Sequence, residues 1–141
     1  MKIKILIFIL FILSLVGFGV GYFFSEMYIC GYTSSCYHFI NDIAHPFLYG
    51  MGALSFVFFV LLFVPKAFAT WLKFAIWFVP LTVILFITWY KLPPNTGLAL
   101  GPSLETFVEW MSILYIIVSL LLINRTWFID RERSKKEALN A

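Results

Sequence analysis

The run ILIFILFILSLVGFGVGYFFS, Ile5 to Ser25, decides how this chain is read. It carries no charge, lies between Lys4 and Glu26, and at 1.5 Å per residue is long enough as a helix to cross a hydrocarbon core of about 30 Å. Three more runs of the same kind follow. Ile43 to Pro65 is uncharged, and with Pro46 placed in the first turn, where its missing N–H does no harm, a helix over 46–64 is expected. The third span covers about 70–90. Lys73, one turn inside it, can snorkel to the surface, and Pro80 should kink it unless neighbouring helices or Thr82 satisfy the carbonyl it frees. The fourth covers about 103–124, with a tail over 125–141 that continues the helix.

Composition agrees with this reading. Of 141 residues, 62% are hydrophobic and 12% charged, against roughly 45–50% and 25% in a soluble domain. Four spans in a chain of this length leave room for one domain, 1–141, and little for a soluble catalytic module. The formal net charge of +3 is too small to suggest nucleic-acid binding. The expected fold is an all-α integral membrane protein of four transmembrane helices with short outer loops, its first partner being the lipid bilayer.

Charge placement sets the expected orientation. Lys2, Lys4, Lys66, Lys73, Arg125, Arg131, Arg133, Lys135 and Lys136 fall on one side of the four spans and Lys91 alone on the other. The positive-inside rule makes the first side cytoplasmic, with both termini there. Trp71, Trp89, Tyr90, Trp110 and Trp127 fall near span ends, as an interfacial aromatic belt requires. The basic start of span one also fits a secretory signal peptide with Gly19-Val20-Gly21 as its small-residue site. The length of the run and the aromatic residues Tyr22, Phe23 and Phe24 beside that site favour an uncleaved anchor.

Chemistry-bearing residues gather on the outer side. Cys30 and Cys36, with five residues between them in an oxidising compartment, suit a disulfide closing a short turn, worth about 2 kcal/mol by loop entropy. Free thiols or redox chemistry are the alternatives, and the spacing is neither C-x-x-C nor a zinc knuckle. If the stretch after Cys36 is helical, His38, Asp42 and His45 fall within roughly 60° of one another, a set able to hold zinc or another transition metal. The plainer reading has Asp42 or His45 capping span two.

Glu105 and Glu109, one turn apart, are the carboxylates inside a predicted span. Ionisable groups there mark function by default. They also suit a helix start through the macrodipole, a capping box over 106–109, or pairing with Lys91. The connection 92–102, with Pro93-Pro94-Asn95-Thr96-Gly97, must be a loop.

Gly17 and Gly21 are spaced as a small-xxx-small motif, and Gly50 and Gly52 with Ala53 form a second small patch, which together suggest close helix packing within the chain or against another. No P-loop, H-E-x-x-H, G-x-S-x-G or dinucleotide fingerprint is present. Asp42-x-x-His45-x-x-x-Tyr49 resembles in part the Asp/His/Tyr signature of VanZ-like small four-span proteins. The Asp-to-His spacing departs from it by one, and that family's later acidic, Gln and Arg elements are missing, so the resemblance is not carried into the reading.

The functional expectation is a non-catalytic accessory or assembly subunit of a larger membrane complex, in a bacterial inner membrane and without cofactor. An immunity protein against an externally arriving toxin is the second possibility, suggested by an outer side bearing Glu26, Asp42, Glu105 and Glu109 against Lys91. An enzyme or transporter using His38, Asp42, His45, Glu105 and Glu109 is the third, and it requires the starts of spans two and four to be neighbours.

Overall fold

A computed structural model describes residues 2–26, 35–91 and 104–139, with the side chains at 25–26, 35–42, 89–91, 104–105, 137 and 139 outside the description. The described chain is helical: α1 Lys2–Glu26, α2 Ser35–Phe63, a 3-10 turn Pro65–Ala67, α3 Phe68–Lys91 and α4 Leu104–Leu139. Four stretches are long and apolar enough to cross a membrane: Lys2–Phe24, Ile43–Phe63, Pro65–Thr88 and Thr106–Lys136.

Two boundaries differ from the expectation. Helix α2 begins at Ser35, so Pro46 sits inside it and not in its first turn. An interior proline costs the hydrogen bond to the carbonyl four residues back, yet the helix continues through it. Helix α4 has already begun at Leu104, so Thr106 lies within the helix and cannot be the N-cap of a capping box, a role that requires non-helical backbone.

The turn between α2 and α3 follows from Pro65. Val64 leaves the helical region at φ −126°, ψ 64°, and proline takes the first position of the 3-10 turn, where its missing N–H is harmless. The Ala67 N–H then closes the turn on the Val64 carbonyl at 3.0 Å. Further along, α3 passes through Pro80 as one helix. The Thr82 hydroxyl donates to the Phe78 carbonyl at 2.9 Å, and so does not reach Ile76, whose carbonyl Pro80 frees.

Helices α1 and α2 run antiparallel with their backbones close. A Cβ added at Gly21 would stand 3.0 Å from the Leu48 Cα, one at Gly17 3.0 Å from the Met51 Cγ, and one at Gly52 3.1 Å from the Phe18 ring. Phe11 and Phe59 continue the seam with ring centroids 6.0 Å apart. That register sets Ser14 level with Ser55, and both are buried. The Ser14 hydroxyl donates to the Phe11 carbonyl at 2.8 Å. Gly50 is not part of this seam: a Cβ there meets nothing within 4 Å.

Helices α2 and α4 run parallel and form the centre of the molecule, with α3 antiparallel against α4 and α1 against α2 and the 3-10 turn. Along their length α2 and α3 do not pack backbone to backbone. They join at the 3-10 turn, and above it Phe58 meets Trp71 edge to face at 5.2 Å. The core gathers near that turn: Ile7 of α1, Val57, Phe58 and Leu61 of α2, Phe68, Trp71 and Ala75 of α3, and Tyr115 and Ile123 of α4. Trp71 is therefore not an interfacial residue. It is 3% exposed, whereas Trp77, midway along α3, is 82% exposed.

Candidate functional site

The most specific polar contact between helices lies at the end of the molecule away from the termini. Tyr49 projects from α2 and its hydroxyl donates to Glu109 Oε1 of α4 at 2.8 Å, a charge-assisted bond of the shorter, stronger kind when the carboxylate is ionised. One turn earlier on α2, the His45 ring meets the Tyr49 ring edge on, centroids 6.5 Å apart. The contact brings together the opening turns of the second and fourth membrane-length stretches, which begin at Ile43 and Thr106. A carboxylate has about four lone-pair positions, of which the tyrosine occupies one, so Glu109 retains capacity to accept.

The other sequence-derived candidates divide around this pair. Glu105 precedes Glu109 by one turn of α4, and Cys36, His38 and Asp42 lie on the helical backbone of α2, but their side chains fall outside the described set, and Cys30 falls outside the described residues altogether. The cysteine bridge and the His38/Asp42/His45 metal set therefore have no described geometry. Among the described residues no group of three His, Cys, Asp or Glu side chains is placed to hold a metal. Gly17, Gly21 and Gly52 line the seam of α1 with α2, and Gly50 faces a cavity.

That cavity, about 250 Å³, is a wedge between α2 and α3 floored by α4. Pro46, Gly50, Ala53 and Leu54 form one wall, Phe78 to Phe86 the other, and Phe107 to Tyr115 the floor. Among the described residues no charged side chain lines it. At its inner end the Tyr115 ring stacks on Phe74 at 6.0 Å and meets Phe78 at 5.4 Å.

Below the wedge lies a buried polar cluster that sequence reading missed. The Trp71 indole N–H donates to the Ser119 hydroxyl at 3.3 Å, tying α3 to α4. The Tyr115 hydroxyl lies near both side chains, at a geometry too poor for a formal bond. Tyr115 and Ser119 stand one turn apart in an otherwise apolar run, and that spacing was the signal available.

At the basic end Lys66 Nζ meets Asp130 Oδ2 at 3.0 Å with the lysine 75% exposed, an ion pair of the kind worth about 0–1 kcal/mol. The Arg131 guanidinium stands 5.4 Å from the centroid of the Trp127 ring. The first joins the tail of α4 to the 3-10 turn, whereas the second lies within α4. What the described side chains present is a carboxylate acceptor bonded to a tyrosine at one end and an apolar slot beside it.

No protein family, curated protein or solved structure matches this chain.

Proposed function

We propose that the chain is an integral protein of a bacterial inner membrane, with both termini cytoplasmic, acting as a non-catalytic accessory subunit that docks a transmembrane helix of a larger membrane protein. The observation that carries the reading is the position of α1, which packs on α2 and the 3-10 turn and makes no extensive contact with α3 or α4. A compact four-helix bundle would close α1 against a second helix. Here a stripe of α2 is left open between α1 and α4. Tyr49, Phe56 and Phe63 recur every seven residues, two helical turns, and lie on that stripe with exposures of 36%, 46% and 73%.

Lipid can cover a convex apolar surface, whereas a trough between two helices suits a third helix, whose packing in a membrane rests on van der Waals fit and interhelical hydrogen bonds. The acceptor capacity of Glu109 at one end of the trough supplies such a bond for a donor on the partner. The burial of Gly21 against Leu48 supports an uncleaved α1, since removal at Gly19-Val20-Gly21 would strip α2 of its packed neighbour.

The test is site-specific photocrosslinking from position 56, followed by affinity purification in mild detergent. A single membrane protein in stoichiometric yield, lost when Phe56 and Phe63 are both changed to Ala, is the expected result. Recovery of lipid adducts alone would sink the reading. The contact between Tyr49 and Glu109 also lends support to a site-based role in transport or catalysis. Under that alternative Glu109→Gln abolishes a phenotype while the protein remains folded and its partner, if any, stays bound.

A further inference from the structure

We propose that the wedge between α2 and α3 is a binding site for one acyl chain of a bilayer lipid. The inference rests on the membrane reading above but not on the docking of a partner, which uses the opposite flank of α2. Three observations carry it.

The first is size. A helix about 10 Å across and 12 Å long fills roughly 900 Å³, and the cavity holds about 250 Å³, so it is too narrow to enclose a helix of a partner or of a second copy. The volume is that of about eight waters at ~30 Å³ each, which suits a slender chain of roughly as many methylene groups. The floor from Phe107 to Tyr115 runs about 12 Å along α4 at 1.5 Å per residue, so the cavity is long for its volume.

The second is chemistry. Among the described residues the lining is apolar and uncharged, and of its three hydroxyl residues, Thr82, Ser112 and Tyr115, one is bonded within its own helix and another points away toward a buried cluster. Thr82 bonds the Phe78 carbonyl, and the Tyr115 hydroxyl lies in the cluster of Trp71 and Ser119. An apolar cavity of this kind does not hold water and accepts hydrocarbon. Among the described lining residues a charged ligand finds no side chain of opposite charge.

The third is access. Because α2 and α3 diverge from the 3-10 turn without packing backbone to backbone, the wedge opens sideways between them, toward the acyl region of the bilayer in the proposed arrangement. Gly50 is what keeps it open: a Cβ added there meets nothing, so a larger side chain would project into the space an acyl chain needs. Gly19, also without neighbours within 4 Å, lies on α1 and provides a matched position away from the wedge.

The experiment reconstitutes the full chain in vesicles of phosphatidylcholine carrying a diazirine midway along one acyl chain, irradiates them, and maps lipid adducts by mass spectrometry. Wild type and Gly19→Phe should give adducts on the segments 78–86 and 107–115 in excess over the exposed face of α1. Gly50→Phe should lose the wedge adducts and keep those on α1. If Gly50→Phe fails to fold, Val83→Phe narrows the wedge from the opposite wall and should give the same loss. Adducts spread evenly over all exposed apolar positions, or wedge adducts that persist in a folded Gly50→Phe or Val83→Phe, would overturn the proposal. A chain released from membranes by alkaline carbonate would instead overturn the membrane reading on which it depends.

Discussion

Three glycines distinguish packing from space at the level of single atoms. At Gly21 a Cβ would press on the backbone of Leu48, at Gly17 on the flexible end of Met51, and at Gly50 on nothing. Backbone cannot yield without separating α1 from α2, whereas a methionine can change rotamer. Alanine substitution should therefore cost about 1–3 kcal/mol at Gly21, clearly less at Gly17, and nothing or slightly less than nothing at Gly50, where alanine's better helix propensity acts alone. Unfolding of the three variants in mixed micelles checks the order. The small-xxx-small spacing of Gly17 and Gly21 was visible in the sequence. The different character of Gly50 was not, because residue type does not say which face of α2 meets α1 and which meets the wedge.

Tyr49 and Glu109 form the second residue-scale test. Interhelical hydrogen bonds measured by double-mutant cycles in a membrane protein average about 0.6 kcal/mol and reach about 1.7. A cycle of Tyr49→Phe with Glu109→Gln is expected to give a coupling within that range, since the bond is short at 2.8 Å and joins two helices. Coupling indistinguishable from zero would mean that the pair does not hold α2 to α4. Sequence reading reached Glu109 through its position in an apolar span and offered Lys91 or a cap as its partner. The tyrosine that bonds it is 60 residues away, a pairing that only the parallel placement of α2 and α4 creates.

At the level of helices, hydropathy located all four elements and misplaced the ends. The apolar signal places the start of α2 at Pro46, but a helix can extend well beyond its apolar window where no Gly or Pro interrupts the flank, and Ser35 to His45 has neither. The tail of α4 was expected to continue the helix, and the structure carries it to Leu139. Its attachment is weak. Asp130→Ala should cost less than about 1 kcal/mol and less still in high salt, because the Lys66 pair is exposed and screened. Trp71→Phe should cost more, since it leaves the buried Ser119 hydroxyl without its donor. Thermal unfolding of the two variants side by side in one detergent would show whether α4 is fixed to the α2/α3 turn by its core contacts, as expected, or by its surface charges.

For the molecule as a whole, the arrangement matters more than the count of helices. Two central parallel helices with α1 on one flank and α3 on the other leave a trough and a wedge, and neither was legible in the sequence, because four apolar runs with short loops are equally compatible with a closed bundle. The asymmetry of charge was legible, and the fold keeps it: Lys2, Lys66 and the basic tail of α4 share one end, and the Tyr49/Glu109 contact lies at the other. An accessory role and an acyl-chain site both presuppose that this basic end is cytoplasmic and that all four helices cross the bilayer.

The most direct test of that premise is a pair of reporter fusions in bacterial cells, one after Ala141 and one inserted at Asn95, each made with alkaline phosphatase and with green fluorescent protein. Fluorescence without phosphatase activity at 141, and phosphatase activity without fluorescence at 95, is the predicted outcome. Phosphatase activity at 141, or fluorescence at 95, would contradict the four-span arrangement and the trough and wedge readings built on it.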